Sequence, residues 1–103
     1  MTLIWSDDAI QSVDNTADYI EKEFGILRSI EFLQDVIDRA NGLITNPRSG
    51  AIDDLLEGAR HEYRSVPIGE QSRLIYRIDG NVVRLEFLWN NRMNPITLRK
   101  MFP

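Results

Sequence analysis

Three segments between residues 60 and 95 alternate polar and apolar side chains with a period of two: residues 60–66 (RHEYRSV), 72–78 (SRLIYRI) and 82–89 (VVRLEFLW). That period sends successive side chains to opposite faces of a pleated chain, so each segment predicts a half-buried strand. Asp79-Gly80 lies between the last two, and an Asp-Gly pair supplies the positive backbone angles of a two-residue type I′ turn. With those residues as the loop, Ile78 faces Asn81, and the ladder continues as Tyr76 with Val83, Leu74 with Leu85 and Arg73 with Glu86. Apolar meets apolar and cation meets anion. Moving the loop to Gly80-Asn81 sets Arg77 opposite Arg84, a like-charge pair, so the first register is the expected one.

In that register Tyr63, Leu74, Tyr76, Ile78, Val83, Leu85, Phe87 and Trp89 share one face. Burying them stabilises a fold by roughly 1.5–3 kcal/mol per large apolar side chain. Arg60, Glu62, Arg64, Arg73, Arg77, Arg84 and Glu86 share the other, five arginines against two glutamates in a chain of formal net charge −4. The charge is segregated. Residues 1–57 hold twelve acidic and four basic residues, a net −8, and residues 58–103 hold four acidic and eight basic, a net +4. Segregation of this kind marks a surface for an anionic partner, nucleic acid or an acidic protein segment. The plainer alternative is a solvated face whose arginines pair with Glu62 and Glu86.

The 103 residues suffice for one core and hence one domain, spanning 1–103. Without cysteine there is no disulfide or thiolate chemistry, and a single histidine argues against a protein-built zinc site, so no metal or cofactor is expected. Asp7, Asp8, Asp14 and Asp18 make residues 1–20 unlike a signal peptide or a membrane span, which predicts a cytoplasmic protein with no membrane partner.

Residues 2–5 read as a short strand, and Ser6 before Asp7-Asp8 is a hydroxyl N-cap followed by first-turn carboxylates. Ile10, Val13, Ala17, Ile20 and Phe24 then form a helical stripe that Gly25 ends. Ile30, Leu33, Val36, Ile37, Ala40, Leu43 and Ile44 form a second stripe, stopped at Asn46-Pro47. So short a link makes the two helices an antiparallel hairpin able to cover a sheet. Residues 47–59 read as a loop holding one helical turn around Leu55-Leu56. Asn94-Pro95 is an N-cap with proline at the first helical position, which predicts a short helix over 96–102. The expected fold is α+β: an N-terminal strand, a helical hairpin packed on an antiparallel sheet, and a short C-terminal helix.

This order of elements resembles the RelE/ParE superfamily of type II toxin-antitoxin toxins. The residues that carry the likeness are Ile4-Trp5-Ser6 with Ala9, Asn46-Pro47 to Gly50, Arg73-Leu74-Ile75-Tyr76-Arg77, and Trp89-Asn90-Asn91-Arg92-Met93-Asn94-Pro95. The resemblance implies a bacterial toxin held inactive by a cognate antitoxin, with one of two activities. The ParE branch inhibits DNA gyrase through a binding surface alone. The RelE branch cleaves messenger RNA on the ribosome, which requires a base for the 2′-hydroxyl, cations for the phosphorane and a ring to stack a base.

Position by position, Arg73 and Arg92 match the arginines that RelE-branch nucleases use on phosphate, Arg64 shares the expected face of Arg73, and Glu62 is the candidate base. No tyrosine follows Arg92, and no histidine stands at the strand exit; Phe102 can stack but cannot transfer a proton. His61 has the opposite parity from Arg64 and reads as structural. An acidic chain is also a poor fit for the dense phosphate of the ribosome. The ParE-like reading is therefore the leading expectation, with the metal-independent ribonuclease as its alternative and a bare antitoxin-binding module as a third. Under the leading reading Arg60, Arg64, Arg73, Arg77, Arg84, Trp89, Asn91 and Arg92 form the partner surface, and with the neighbouring helical groove they receive an acidic and apolar antitoxin segment.

Overall fold

The computed structural model describes all 103 residues. Strand β1 (Thr2–Trp5) leads into helices α1 (Asp7–Phe24) and α2 (Ile26–Thr45), followed by β2 (Ala51–Ile52), a 3-10 turn (Asp54–Leu56), β3 (Arg64–Ile68), β4 (Ser72–Asp79), β5 (Val82–Asn90) and α3 (Pro95–Met101). The five strands form one sheet in the order β1-β5-β4-β3-β2. This is the expected α+β arrangement. Two details exceed the expectation: β1 joins β5 in parallel, and Ala51–Ile52 adds a short edge strand to β3.

Both long helices begin and end where their sequence signals place them. The Ala9 amide donates to Ser6 Oγ at 2.9 Å, and Gly25 takes φ +96° between the helices. The buried stripe, however, is turned away from the largest residues. Ala9, Ser12, Val13 and Ala17 of α1 and Ser29, Val36, Ala40 and Leu43 of α2 are buried, whereas Ile10, Phe24, Ile30, Ile37 and Ile44 are exposed. Small side chains let the two backbones approach closely enough for Ser29 Oγ to donate to the Ala17 carbonyl at 2.9 Å. Close approach of the helices decides which stripe goes inside.

The β4–β5 hairpin adopts the register with the loop at Gly80-Asn81. Asp79 pairs with Val82, Ile78 with Val83 and Arg77 with Arg84. The expected Asp79-Gly80 loop is therefore corrected. Of the two loop residues Gly80 has positive φ, +59°, and Asn81 does not, and glycine at the first central position is the pattern of a type II′ turn. The like-charge pair is tolerated because carboxylates are interleaved with it: Asp79 Oδ2 lies 3.0 Å from Arg84 Nε and 3.8 Å from Arg77 Nη1, and Glu86 Oε1 lies 3.4 Å from Arg77 Nε. Four charges in a cluster replace two repelling ones.

A second correction follows along the same ladder. Tyr76 pairs with Leu85, but Ile75 pairs with Phe87, so Glu86 is an extra residue and β5 is bulged. One inserted residue reverses the parity of everything after it. Val83, Leu85 and Leu88 face the helices with Val66, Ile68, Leu74 and Tyr76, in a core of 12 buried residues. Phe87 and Trp89 move to the reverse face. There Trp89 joins Leu56, Tyr63, Ile75 and Leu98 in a second core of 5 residues, with Phe87, Leu55, Ala59 and Phe102 packed against it. The N-cap serine and a serine of α1 serve the β5 edge beyond the end of β1: Ser6 Oγ donates to the Glu86 carbonyl at 2.8 Å, and the Leu88 amide donates to Ser12 Oγ at 2.9 Å. No bulged polar group is left bare at these two places.

The third strand also differs from expectation. It spans Arg64–Ile68, and residues 60–63 have no strand structure. Arg64 pairs with Tyr76 and shares its side of the sheet, not that of Arg73. Tyr63 packs in the reverse core against Phe102, their ring centroids 5.0 Å apart.

Candidate functional site

The residues expected to form a nuclease centre are held in three separate places. Arg73 lies on the reverse face with its Nε 3.2 Å from Asp53 Oδ2, an ion pair whose angle falls short of a hydrogen bond, and its Nη1 is 3.8 Å from Asp54. The Asp53 side chain has no exposed surface, and its other oxygen accepts the Leu55 amide at 3.0 Å, capping the 3-10 turn. Arg73 is thus committed to a buried carboxylate. Sequence reasoning passed over Asp53, although aspartate ahead of Asp54-Leu55-Leu56 is an N-cap signal.

Arg64 stands elsewhere. Its Nη1 donates to the carbonyls of Gly50 at 2.8 Å and Arg48 at 3.3 Å, and its Nη2 lies 3.5 Å from Glu62. Tyr76 braces the same loop: its hydroxyl donates to the Pro47 carbonyl at 2.7 Å and accepts the Gly50 amide at 3.0 Å. A Cβ on Gly50 would sit 2.6 Å from that hydroxyl oxygen, so glycine is required there. Burial pushes the Tyr76 phenol above its ordinary value, the two hydrogen-bonding and charge partners Gly50 and Arg64 opposing it. Glu62 is exposed in the irregular stretch before β3.

Arg92 occupies a third place, the turn after β5, with its own amide donating to Asn90 Oδ1 at 2.9 Å. Its side chain lines a groove of about 850 Å³ between the helical hairpin and the β3–β4 turn, together with Tyr19, Phe24, Arg28, Phe32 and Met93. Tyr19 is 55% exposed and Phe24 68%, so aromatic surface is open to solvent here. Tyr19 and Phe32 lie off the stripes that pattern analysis assigns to the core, whereas Phe24 belongs to the first stripe and is exposed all the same.

The remaining expected partner residues divide by exposure. Arg77 and Arg84 lie on the reverse face but are engaged with Asp79 and Glu86. The Arg84 hydrogen bond, followed by the charges of Arg84 and Arg77, holds the Asp79 carboxyl below its ordinary value. Arg60 and Asn91 are exposed, the Asn91 amide donating to the Gln71 carbonyl at 2.8 Å. Trp89 is completely buried and has no surface with which to touch a partner. His61 is exposed, its ring edge-on to Tyr63 at 6.0 Å. Phe102 is half-buried against Tyr63, away from any base-stacking role.

No helix is long and apolar enough to cross a membrane. No curated protein sequence matches the chain at a significant level. Among solved structures, a chain of the chromosomal ParDE toxin-antitoxin system from P. aeruginosa superposes with a TM-score of 0.71 at 17% identity, covering 87% of this chain and 95% of its own. A YoeB/ParE toxin from Agrobacterium tumefaciens superposes with a TM-score of 0.59 at 14% identity, covering 87% and 98%. Those identities carry the fold. The sequence model of the ParE toxin of the type II toxin-antitoxin system parDE matches residues 3–95, nearly the whole chain, and the protein therefore belongs to the ParE toxin family.

Proposed function

We propose that this protein is a cytoplasmic ParE-type toxin that inhibits DNA gyrase by binding, without cleaving any bond, and that a cognate antitoxin neutralises it. The observation that carries the reading is the separation of Arg64, Arg73 and Arg92. A phosphorane needs its cations convergent on one position, whereas here one is tied to the Gly50 carbonyl, one to buried Asp53 and one to an open groove. Glu62 is paired with Arg64 and not with Arg73. The ribosomal ribonuclease built on Arg64, Arg73, Arg92 and Glu62 is accordingly the weaker reading.

The arginine face is a less favourable antitoxin surface than its charge implied, since Arg73, Arg77 and Arg84 already meet Asp53, Asp79 and Glu86. The groove at Tyr19, Phe24 and Arg92 is the better receptor: it offers exposed rings for the apolar side of a helical or extended segment, with Arg28 and Arg92 at hand for its carboxylates. Purified toxin added to gyrase is expected to abolish supercoiling, and the antitoxin to restore it. Unimpaired supercoiling, combined with new messenger RNA 5′ ends after induction in cells, would overturn the gyrase reading.

A further inference from the structure

A second, polar cleft of about 390 Å³ opens where the Arg48 loop, residues 61–64 and the β4–β5 turn converge. Arg48, His61, Glu62, Arg64 and Arg77 line it, and Ile78 is its single apolar wall. None of these residues lines the hairpin groove. Three arginines against one glutamate leave an excess of two positive charges in the lining, within a chain of net −4.

Two of the three cations of this cleft are held before any ligand arrives. Arg64 is fixed by the Gly50 and Arg48 carbonyls, and its Nε is buried. Arg77 is steadied by Glu86 and Asp79 at 3.4 and 3.8 Å. Arg48 is exposed and enters no ion pair. Guanidinium groups held in this way lose little freedom on binding, and the forked donors of unpaired Arg48 match a carboxylate in two parallel hydrogen bonds.

Nucleic acid fits the cleft less well. Single strands bind on exposed rings along a continuous basic track. Here the lining offers one ring, the His61 imidazole, the neighbouring Tyr63 is buried, and exposed Glu62 and Asp79 interrupt any such track. The helical half of the chain, at net −8, adds repulsion for a long polyanion. A short run of carboxylates meets the cations without these costs. We propose that the cleft binds adjacent carboxylates of an acidic, extended protein segment, as a subsite separate from the hairpin groove. The proposal does not depend on the gyrase reading and is tested without it.

The full chain, labelled with nitrogen-15, is titrated with a blocked octapeptide of alternating aspartate and glutamate. Amide shifts are expected at His61, Arg64 and Gly80. Arg48→Glu is expected to weaken the peptide about tenfold, as reversal of a charge in direct contact does. Arg39→Glu, the same change of net charge on the exposed side of α2, is expected to leave affinity nearly unchanged. Equal loss in both variants would reduce the effect to bulk attraction and overturn the proposal. So would an absence of shifts in the cleft, or a ten-nucleotide DNA or RNA strand that binds there more tightly than the peptide.

Discussion

On the side facing the helical hairpin, the sheet and two long helices together bury 12 residues in one core. On the reverse side it buries 5 at one end, beneath a 3-10 turn and a seven-residue helix, and carries ion-paired arginines along the rest. The two faces are built from the same strands, so their difference lies in what covers them and in one inserted residue. Up to Leu85 the alternation places apolar side chains under the helices. From Phe87 onward it sends the largest ones to the other side, where α3 closes over Trp89 with its Leu98. The small second core also anchors the chain's end, the Arg60 amide donating to the Pro103 carbonyl at 3.1 Å. A face that reads as a charged exterior is thus partly an interior.

The sharpest test of that statement is Trp89→Ala, which is expected to cost about 3–5 kcal/mol by the removal of a fully buried indole, in the range expected for Leu85→Ala on the hairpin side at about 2–5 kcal/mol. Urea denaturation of both variants makes the comparison. A loss below about 1 kcal/mol for Trp89→Ala would demote the reverse cluster to a surface patch.

A smaller effect is expected at the join between the reverse core and the arginines. Asp53→Asn removes the carboxylate beside Arg73 and is expected to cost about 2–3 kcal/mol, below the roughly 3–5 kcal/mol of a fully enclosed pair because Arg73 keeps contact with water. Arg73 retains 21% of its side-chain surface. If Asp53→Asn is neutral in urea, the pair contributes geometry without stability, and the contrast between committed and free arginines weakens.

The least effect is expected at the hairpin tip, and it depends on pH. The folded Asp79 carboxyl titrates below its ordinary value. Its contribution is therefore present above the unfolded carboxyl's titration near pH 4 and is lost as pH falls through the lowered folded value. Carboxyl carbon NMR should place its midpoint below that of an ordinary aspartate, and Arg84→Gln should return it upward. An unchanged midpoint in Arg84→Gln would remove the explanation given for the tolerated Arg77–Arg84 pair.

Much of this was legible from residue types alone. Ser6-Asp7-Asp8 and Gly25 bound α1, Asn46-Pro47 stops α2, and Asn94-Pro95 starts α3, because caps and proline act within a turn of their own position. Parity held up to Leu85, keeping Leu74, Tyr76, Val83 and Leu85 on one face; what failed were the register and the parity beyond the bulge. Arg77 opposite Arg84 looks unfavourable as a pair, and only in three dimensions do Asp79 and Glu86 come within reach to neutralise it. Arg64 was assigned the face of Arg73 by parity across a connection whose pairing begins later than its alternation does.

By itself, then, the sequence determined the α+β class, the helix boundaries and the family, since these follow from local backbone chemistry and an extended pattern of types. Tertiary structure decided the hairpin register, the bulge at Glu86, the second core, and the separation of Arg64, Arg73 and Arg92. Each of those depends on which distant group satisfies a charge or a backbone donor: Ser12 for Leu88, Asp53 for Arg73, the Gly50 carbonyl for Arg64. Spacing along a chain carries no record of such partners, because folding brings them together from positions 14 to 76 residues apart.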